Sequence, residues 1–189
     1  MRQVRSAVVL ATMVMAAGCA RPGGPPAAAG PVAADFFSWT LGTRWTYEVQ
    51  LLGATESKEV ALVKRTSDGF LEDSTGARFL ADAFGVRDQK RYLLRNPVAA
   101  GTTWTNVVSV SSVETYEVLA TGQPCDARAG HWKDCVVVES RNRIEAGKTL
   151  VNEYTLAPGV GIVRLATFLD AGKGRLPQAR LELVAFLRP

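Results

Sequence analysis

A chain of 189 residues that holds one histidine, His131, has little room for histidine-dependent chemistry. A Ser or Cys nucleophile needing an imidazole base would have only His131, which follows Gly130 in an expected loop beside Trp132. There is also no Gly-x-Ser-x-Gly elbow of the kind that presents a hydrolase serine. Excess charge is missing too: 22 basic residues stand against 18 acidic ones. The basic residues are scattered (Lys64-Arg65, Lys90-Arg91, Arg141, Arg143, Arg175) without interleaved aromatics, which excludes a nucleic-acid surface and describes a solvated sheet face. Long hydrophobic runs are absent. The longest, from about Ala7 to Ala17, falls short of the roughly 20 residues a membrane-spanning helix needs. Helical periodicity is all but missing after that run.

What is present begins with a basic start (Arg2, Arg5), the short apolar run, and then Ala16-Ala17-Gly18-Cys19. The combination describes a processed signal rather than an anchor helix. It resembles the lipobox of bacterial lipoproteins, which implies cleavage before Cys19 and acylation of its thiol and new amino group. An ordinary secretory peptide that happens to contain Cys19 is the alternative; Ala16 stands where Leu is most common, but small residues fill every position from Ala16 to Gly18. Ala20 is not the Asp that retains enterobacterial lipoproteins in the inner membrane, so the resemblance favours the outer membrane. Removal of residues 1 to 18 takes Arg2 and Arg5 and no acid, lowering the net charge from +4 to +2.

Residues 19 to 35 then form the lipidated cysteine and a tether. The stretch from Arg21 to Asp35 has four prolines, three glycines and no large aromatic. It cannot bury enough apolar surface to offset its ordering entropy and reads as a linker reaching at most on the order of 45 Å. The remainder, residues 36 to 189, is one domain's worth of chain.

Alternation dominates that domain. In Trp45-Thr46-Tyr47-Glu48-Val49-Gln50-Leu51 the odd positions are apolar and the even ones polar, a strand with one buried face. Comparable segments recur to Leu187, among them Val86 to Leu94, Val113 to Ala120 and Lys133 to Arg143, and Ser67-Asp68-Gly69, Ser74-Thr75-Gly76, Ala146-Gly147-Lys148 and Asp170 to Gly174 supply glycine where hairpins need positive φ. The expectation is an all-β fold: about ten antiparallel strands in sequence order, curled into a sheet or open half-barrel that avoids two long edges. Asp35 to Thr40 fits a short helical turn or, through Phe36, Phe37 and Trp39, an apolar plug at one end.

One internal echo is specific. Gly42-Thr43-Arg44-Trp45-Thr46 returns 59 residues later as Gly101-Thr102-Thr103-Trp104-Thr105, each time opening a strand. The structural reading makes the glycine a tight turn and Trp45 and Trp104 caps on the core; the functional reading has the two rings, with Tyr47, face a common cavity.

At these residues the chain resembles secreted bacterial proteins of unknown function related to the DUF3108-like domains. Four motifs carry the likeness: Gly42 to Tyr47, Pro97 to Trp104, Ala129 to Cys135, and Ala157-Pro158-Gly159-Val160-Gly161. The resemblance implies a curled antiparallel sheet akin to the half-barrel of periplasmic lipoprotein carriers, and it transfers no catalytic residue. This chain departs from the pattern by adding Cys125, ten positions before Cys135. With Cys19 lipidated, the other two cysteines sit in an oxidising compartment and either pair or remain free thiols; a bridge would contribute roughly 3 kcal/mol on the loop-entropy account. A metal site is disfavoured, since His131 is the sole histidine and no further cysteine is free.

Two apparent nucleotide motifs fail on context: Gly147-Lys148-Thr149 and Gly159-Val160-Gly161 both join strand to strand, with no helix following. Carboxylate pairs exist (Glu72-Asp73, Asp82 and Asp88, Glu139 and Glu145), yet on a sheet most such groups are solvated outer-face residues. They are the inventory from which two-carboxylate glycosidase chemistry would have to come. The expectation is therefore a non-enzyme without cofactor: an envelope lipoprotein whose partners are the membrane, through its lipid, and an apolar small molecule or lipid. The alternative is a scaffold module that binds another envelope protein.

Overall fold

The computed structural model describes residues 30–189. The signal segment, Cys19 and most of the tether lie outside the described residues. Twelve strands follow in order: β1 Arg44–Leu51, β2 Ala54–Arg65, β3 Leu71–Asp73, β4 Arg78–Asp82, β5 Gly85–Arg87, β6 Tyr92–Arg95, β7 Thr103–Ser109, β8 Ser112–Ala127, β9 Gly130–Glu145, β10 Lys148–Ala157, β11 Gly161–Asp170 and β12 Arg175–Leu187. All pairings are antiparallel. They make one sheet in the order β6-β5-β4-β3-β2-β1-β12-β11-β10-β9-β8-β7, so the chain is an up-and-down meander whose first and last strands zip together in the middle. The sheet curls past a half-barrel into a nearly closed one.

Its two edge strands, β6 and β7, meet without a ladder. The Asn106 side chain on β7 does the work of a backbone pair: Oδ1 accepts from the Tyr92 amide at 3.0 Å and Nδ2 donates to the Tyr92 carbonyl at 3.0 Å. The Trp104 indole also donates to that carbonyl at 2.9 Å. Arg91, just before β6, pairs with Glu114 on β8 at 3.0 Å across the same seam. Side chains thus satisfy an edge that would otherwise present open backbone groups.

Two buried clusters fill the interior. One centres on Val86, Leu94, Trp104, Tyr116, Val118 and Val138. The other centres on Trp45, Leu62, Leu71, Cys135, Val163 and Leu183. Trp39 and Phe79 pack against both. The N-terminal expectation resolves as turn and plug together: a 3-10 turn, Ala33–Phe36, buries Ala33 and Phe36 in the first cluster, with Phe37 and Trp39 against it. Among the described residues, Ala33, inside the stretch read as linker, is already packed in the core. Its amide donates to Asn96 Oδ1, and the Asp35 carbonyl accepts from the Gly159 amide at 2.7 Å.

The long β8–β9 ribbon outruns β10 and leans over the β10–β11 turn. The β11–β12 ladder reaches Arg164 opposite Glu182, and the next carbonyl on β12, Leu183, accepts from Ala129 at the ribbon tip at 3.1 Å. Arg128 beside it pairs with Glu48 on β1 at 2.6 Å. Cys125 and Cys135 are joined in this ribbon, with Cα atoms 6.0 Å apart. His131, expected in a loop, lies on β9 and faces Asp126 across the ribbon with its side chain in solvent.

Candidate functional site

The repeated Gly-Thr-x-Trp-Thr segments build one device twice. Gly42 and Gly101 take φ of 83° and 84°, the left-handed conformation that glycine adopts without a Cβ penalty. Gly42 donates to the Leu62 carbonyl, and Leu62 donates back to Thr43; Gly101 and Val118 do the same with Thr102, all at 2.8 to 2.9 Å. Each glycine thereby locks the start of its strand onto the next strand. Three positions on, each tryptophan is buried, and each indole N–H finds a carbonyl: Trp45 reaches Val160 at 2.7 Å and Trp104 reaches Tyr92 at 2.9 Å.

The rings do not share a wall. Trp104 stacks on Tyr116, with centroids 5.1 Å apart, in the first cluster. Trp45 lies in the second cluster and lines a cavity of about 280 Å³ with Tyr47 and Val60, Phe79 and Ile162, and Leu165 and Leu181. These lining residues come from β1, β2, β4, β11 and β12, which the curl brings around one space. Tyr47 hydroxyl donates to the Ile162 carbonyl at 3.1 Å. Burial, and secondarily the charge of Asp73, hold its phenol well above the usual tyrosine range.

Asp73 is the lining residue the sequence misplaced. Glu72 and Asp73 both read as outer-face carboxylates, but neighbours on a strand point to opposite faces. Glu72 faces out to Lys64 at 2.9 Å and Arg78 at 2.7 Å, and these partners hold its carboxyl below the ordinary range. Asp73, like Leu71 two positions earlier, points inward, and only 7% of it is exposed. Its Oδ1 accepts from the Thr75 amide, the Thr75 hydroxyl and the Ala77 amide at 2.7 to 3.0 Å, which shapes the β3–β4 turn. Lys58, opposite Tyr47 in the β1–β2 register, is the cation among the lining residues and is exposed.

The other flagged carboxylates have structural partners. Burial would raise Asp82, but the amides of Phe84 and Gly85, the Tyr92 hydroxyl and Arg87 hold it below its usual range. Asp88 caps the β5–β6 turn through the Lys90 and Arg91 amides. Glu139, also expected outside, is buried between Arg141 and Arg175, each at 2.7 Å. Among the described residues no cluster of His, Cys, Asp and Glu has the makings of a metal site.

No protein-family model matches the chain. No curated protein matches it either. Among solved structures the chain is similar to a protein named as a lipoprotein from Parabacteroides distasonis ATCC 8503, at 14% identity and a TM-score of 0.47 over 80% of this chain and 98% of that one. It is similar also to a protein from Bacteroides fragilis NCTC 9343 named as an exported protein with a YmcC-like fold, at 13% identity and a TM-score of 0.48 over 81% and 99%. At those scores neither likeness bears on what this chain does.

Proposed function

We propose that this chain is a non-catalytic bacterial lipoprotein, tethered to the outer membrane through Cys19, whose barrel interior binds an apolar small molecule or acyl chain. The observation that carries the binding reading is the cavity of about 280 Å³ walled by Trp45, Val60, Phe79, Leu165 and Leu181. Ligand pockets are mostly apolar, hold a few placed polar groups, and run from about 300 Å³ upward, so this one suits a single short chain or one ring system. The tether reading rests on Ala16-Ala17-Gly18-Cys19 and the proline-rich stretch after it. Native mass spectrometry of protein purified from membranes tests both. The expected spectrum shows the acylated chain plus a dissociable small mass; a chain of unacylated mass refutes the anchor, and the absence of any adduct, even after incubation with octanol, refutes the ligand.

A second reading, a scaffold for an envelope assembly, is favoured by two hairpin tips at the same end of the barrel. Leu52, at φ 48° and 83% exposed, occupies the β1–β2 turn where Asn or Gly belongs. Val110 stands fully exposed in the β7–β8 turn. A photo-crosslinker at Val110 captures a discrete envelope protein in cells if this reading holds, and gives only monomer if it does not.

A further inference from the structure

The cavity's apolar walls say little about which molecule enters, but its one buried carboxylate says more. Asp73 is more than nine-tenths buried and lines the space, and its turn uses only Oδ1. Neither Lys58 nor any other described cation lies within ion-pair distance of it. No described residue donates to Oδ2, and that oxygen is not sealed from solvent, so a ligand that fills the cavity must supply a donor in place of water or leave the carboxylate unpaired, which is costly. The turn explains why residue 73 must accept hydrogen bonds at Oδ1; Asn would serve that role equally well. It does not explain a carboxylate. Tyr47, whose hydroxyl is already committed to Ile162, does not fill the gap.

We infer that the cavity selects ligands that carry a hydrogen-bond donor, a hydroxyl or an ammonium group, on an apolar body, with Asp73 Oδ2 accepting from that donor. This deepens the ligand-binding reading above and rests on it. The polar end lies against β3 and the body against Trp45, Phe79, Leu165 and Leu181. A molecule of the same shape with an acceptor alone would set its lone pairs against the carboxylate and leave it unpaired.

The test uses three probes of matched size, 1-octanol, octylamine and heptyl methyl ether, titrated calorimetrically into the purified full chain and its Asp73→Asn variant. That variant keeps an oxygen for the Thr75 and Ala77 donors and turns the other acceptor into a donor, so the fold is retained; an unchanged urea midpoint verifies it. The expected result is octanol or octylamine binding about tenfold or more tightly than the ether, the value of a hydrogen bond to a charged group. Asp73→Asn abolishes or reverses that order. Octylamine alone gaining identifies an ammonium ligand, and octanol gaining with it identifies a hydroxyl ligand. Equal binding of all three to the unaltered chain overturns the role of Asp73 while leaving the cavity reading intact. No binding by any probe overturns the cavity reading itself.

Discussion

Asn106→Leu tests how the barrel closes. One amide side chain carries both polar groups of Tyr92, at 3.0 Å each. In a strand the N–H and C=O of one residue point to the same side, so neither group of Tyr92 can turn to β5 for a replacement. Leucine keeps the branched side-chain skeleton and removes both bonds. The carbonyl keeps the Trp104 indole, so its loss is one net hydrogen bond, about 1 kcal/mol. The amide keeps nothing, and a partly buried orphan donor costs about 1 to 2 kcal/mol. The sum, about 2 to 3 kcal/mol, is a large part of an ordinary domain's stability. Urea titration reads the total, and hydrogen exchange reads its location: the Tyr92 amide should exchange far faster while β1 and β12 change only as much as the global loss requires. Asn106→Asp should be worse than Leu, because it keeps the acceptor for the amide but sets a carboxylate oxygen against the Tyr92 carbonyl. An Asn106→Leu midpoint equal to that of the unaltered chain, with unchanged exchange at Tyr92, would refute side-chain closure of the seam.

Replacing Trp45 or Trp104 by Ala removes a buried ring and its indole hydrogen bond, so each should cost about 3 to 5 kcal/mol in denaturant titration. Only Trp45→Ala should also alter octanol binding, since Trp104 does not line the cavity; equal effects of both on binding would contradict the placement of the rings. Alkali should unfold the domain early. Burial raises the Tyr47 and Tyr116 phenols in the folded state, with the charges of Asp73 and of Tyr154 and Glu114 adding to it. Above about pH 10 the unfolded chain loses phenolic protons that the folded chain keeps, so stability is complete below that pH and falls above it. Tyr116→Phe should flatten the fall in a urea midpoint measured from pH 9 to 11.5, and an unaltered slope would show that burial of this phenol is not coupled to folding.

The fold was legible where side chains alternate and glycines punctuate, and illegible where a polar side chain replaces either signal. β1 and its inward Trp45 and Tyr47 follow from alternation alone. The segment from Val86 to Leu94 reads as one strand but is two, because the turn between β5 and β6 has neither Gly nor Pro; Asp88 makes it by accepting from the Lys90 and Arg91 amides at 2.7 and 2.8 Å. The opposite error occurs at Gly122 and Pro124, which read as a loop yet lie in β8. There the register with β9 shifts repeatedly, and the pairing steps from Gln123 opposite Cys135 to Cys125 opposite Trp132, leaving Pro124 outside the ladder where its missing N–H costs nothing. Asp73 was visible as a carboxylate and not as an inward one, because Leu71, which sets the inward parity, belongs to a strand of three residues, too short to show a period.

The repeated tryptophan segment ties these points together. It opens β1 and β7 with the same glycine turn and the same lock onto the following strand, so the two hairpins start alike. Their outer sides then diverge. β1 meets β12 along a ladder running from Arg44 opposite Leu187 to Leu51 opposite Ala179. β7 meets β6, a strand of only four residues, and in place of a ladder offers Trp104 and Asn106 to one residue, Tyr92. Opening the first seam breaks a run of backbone bonds and uncovers the second cluster. Opening the β6–β7 seam breaks three hydrogen bonds to Tyr92 and the Arg91–Glu114 pair, whose partly exposed charges contribute little. Local opening with a free energy well below the global value should therefore begin at β6 and β7, and these edge strands should exchange their amides before β1 and β12 do.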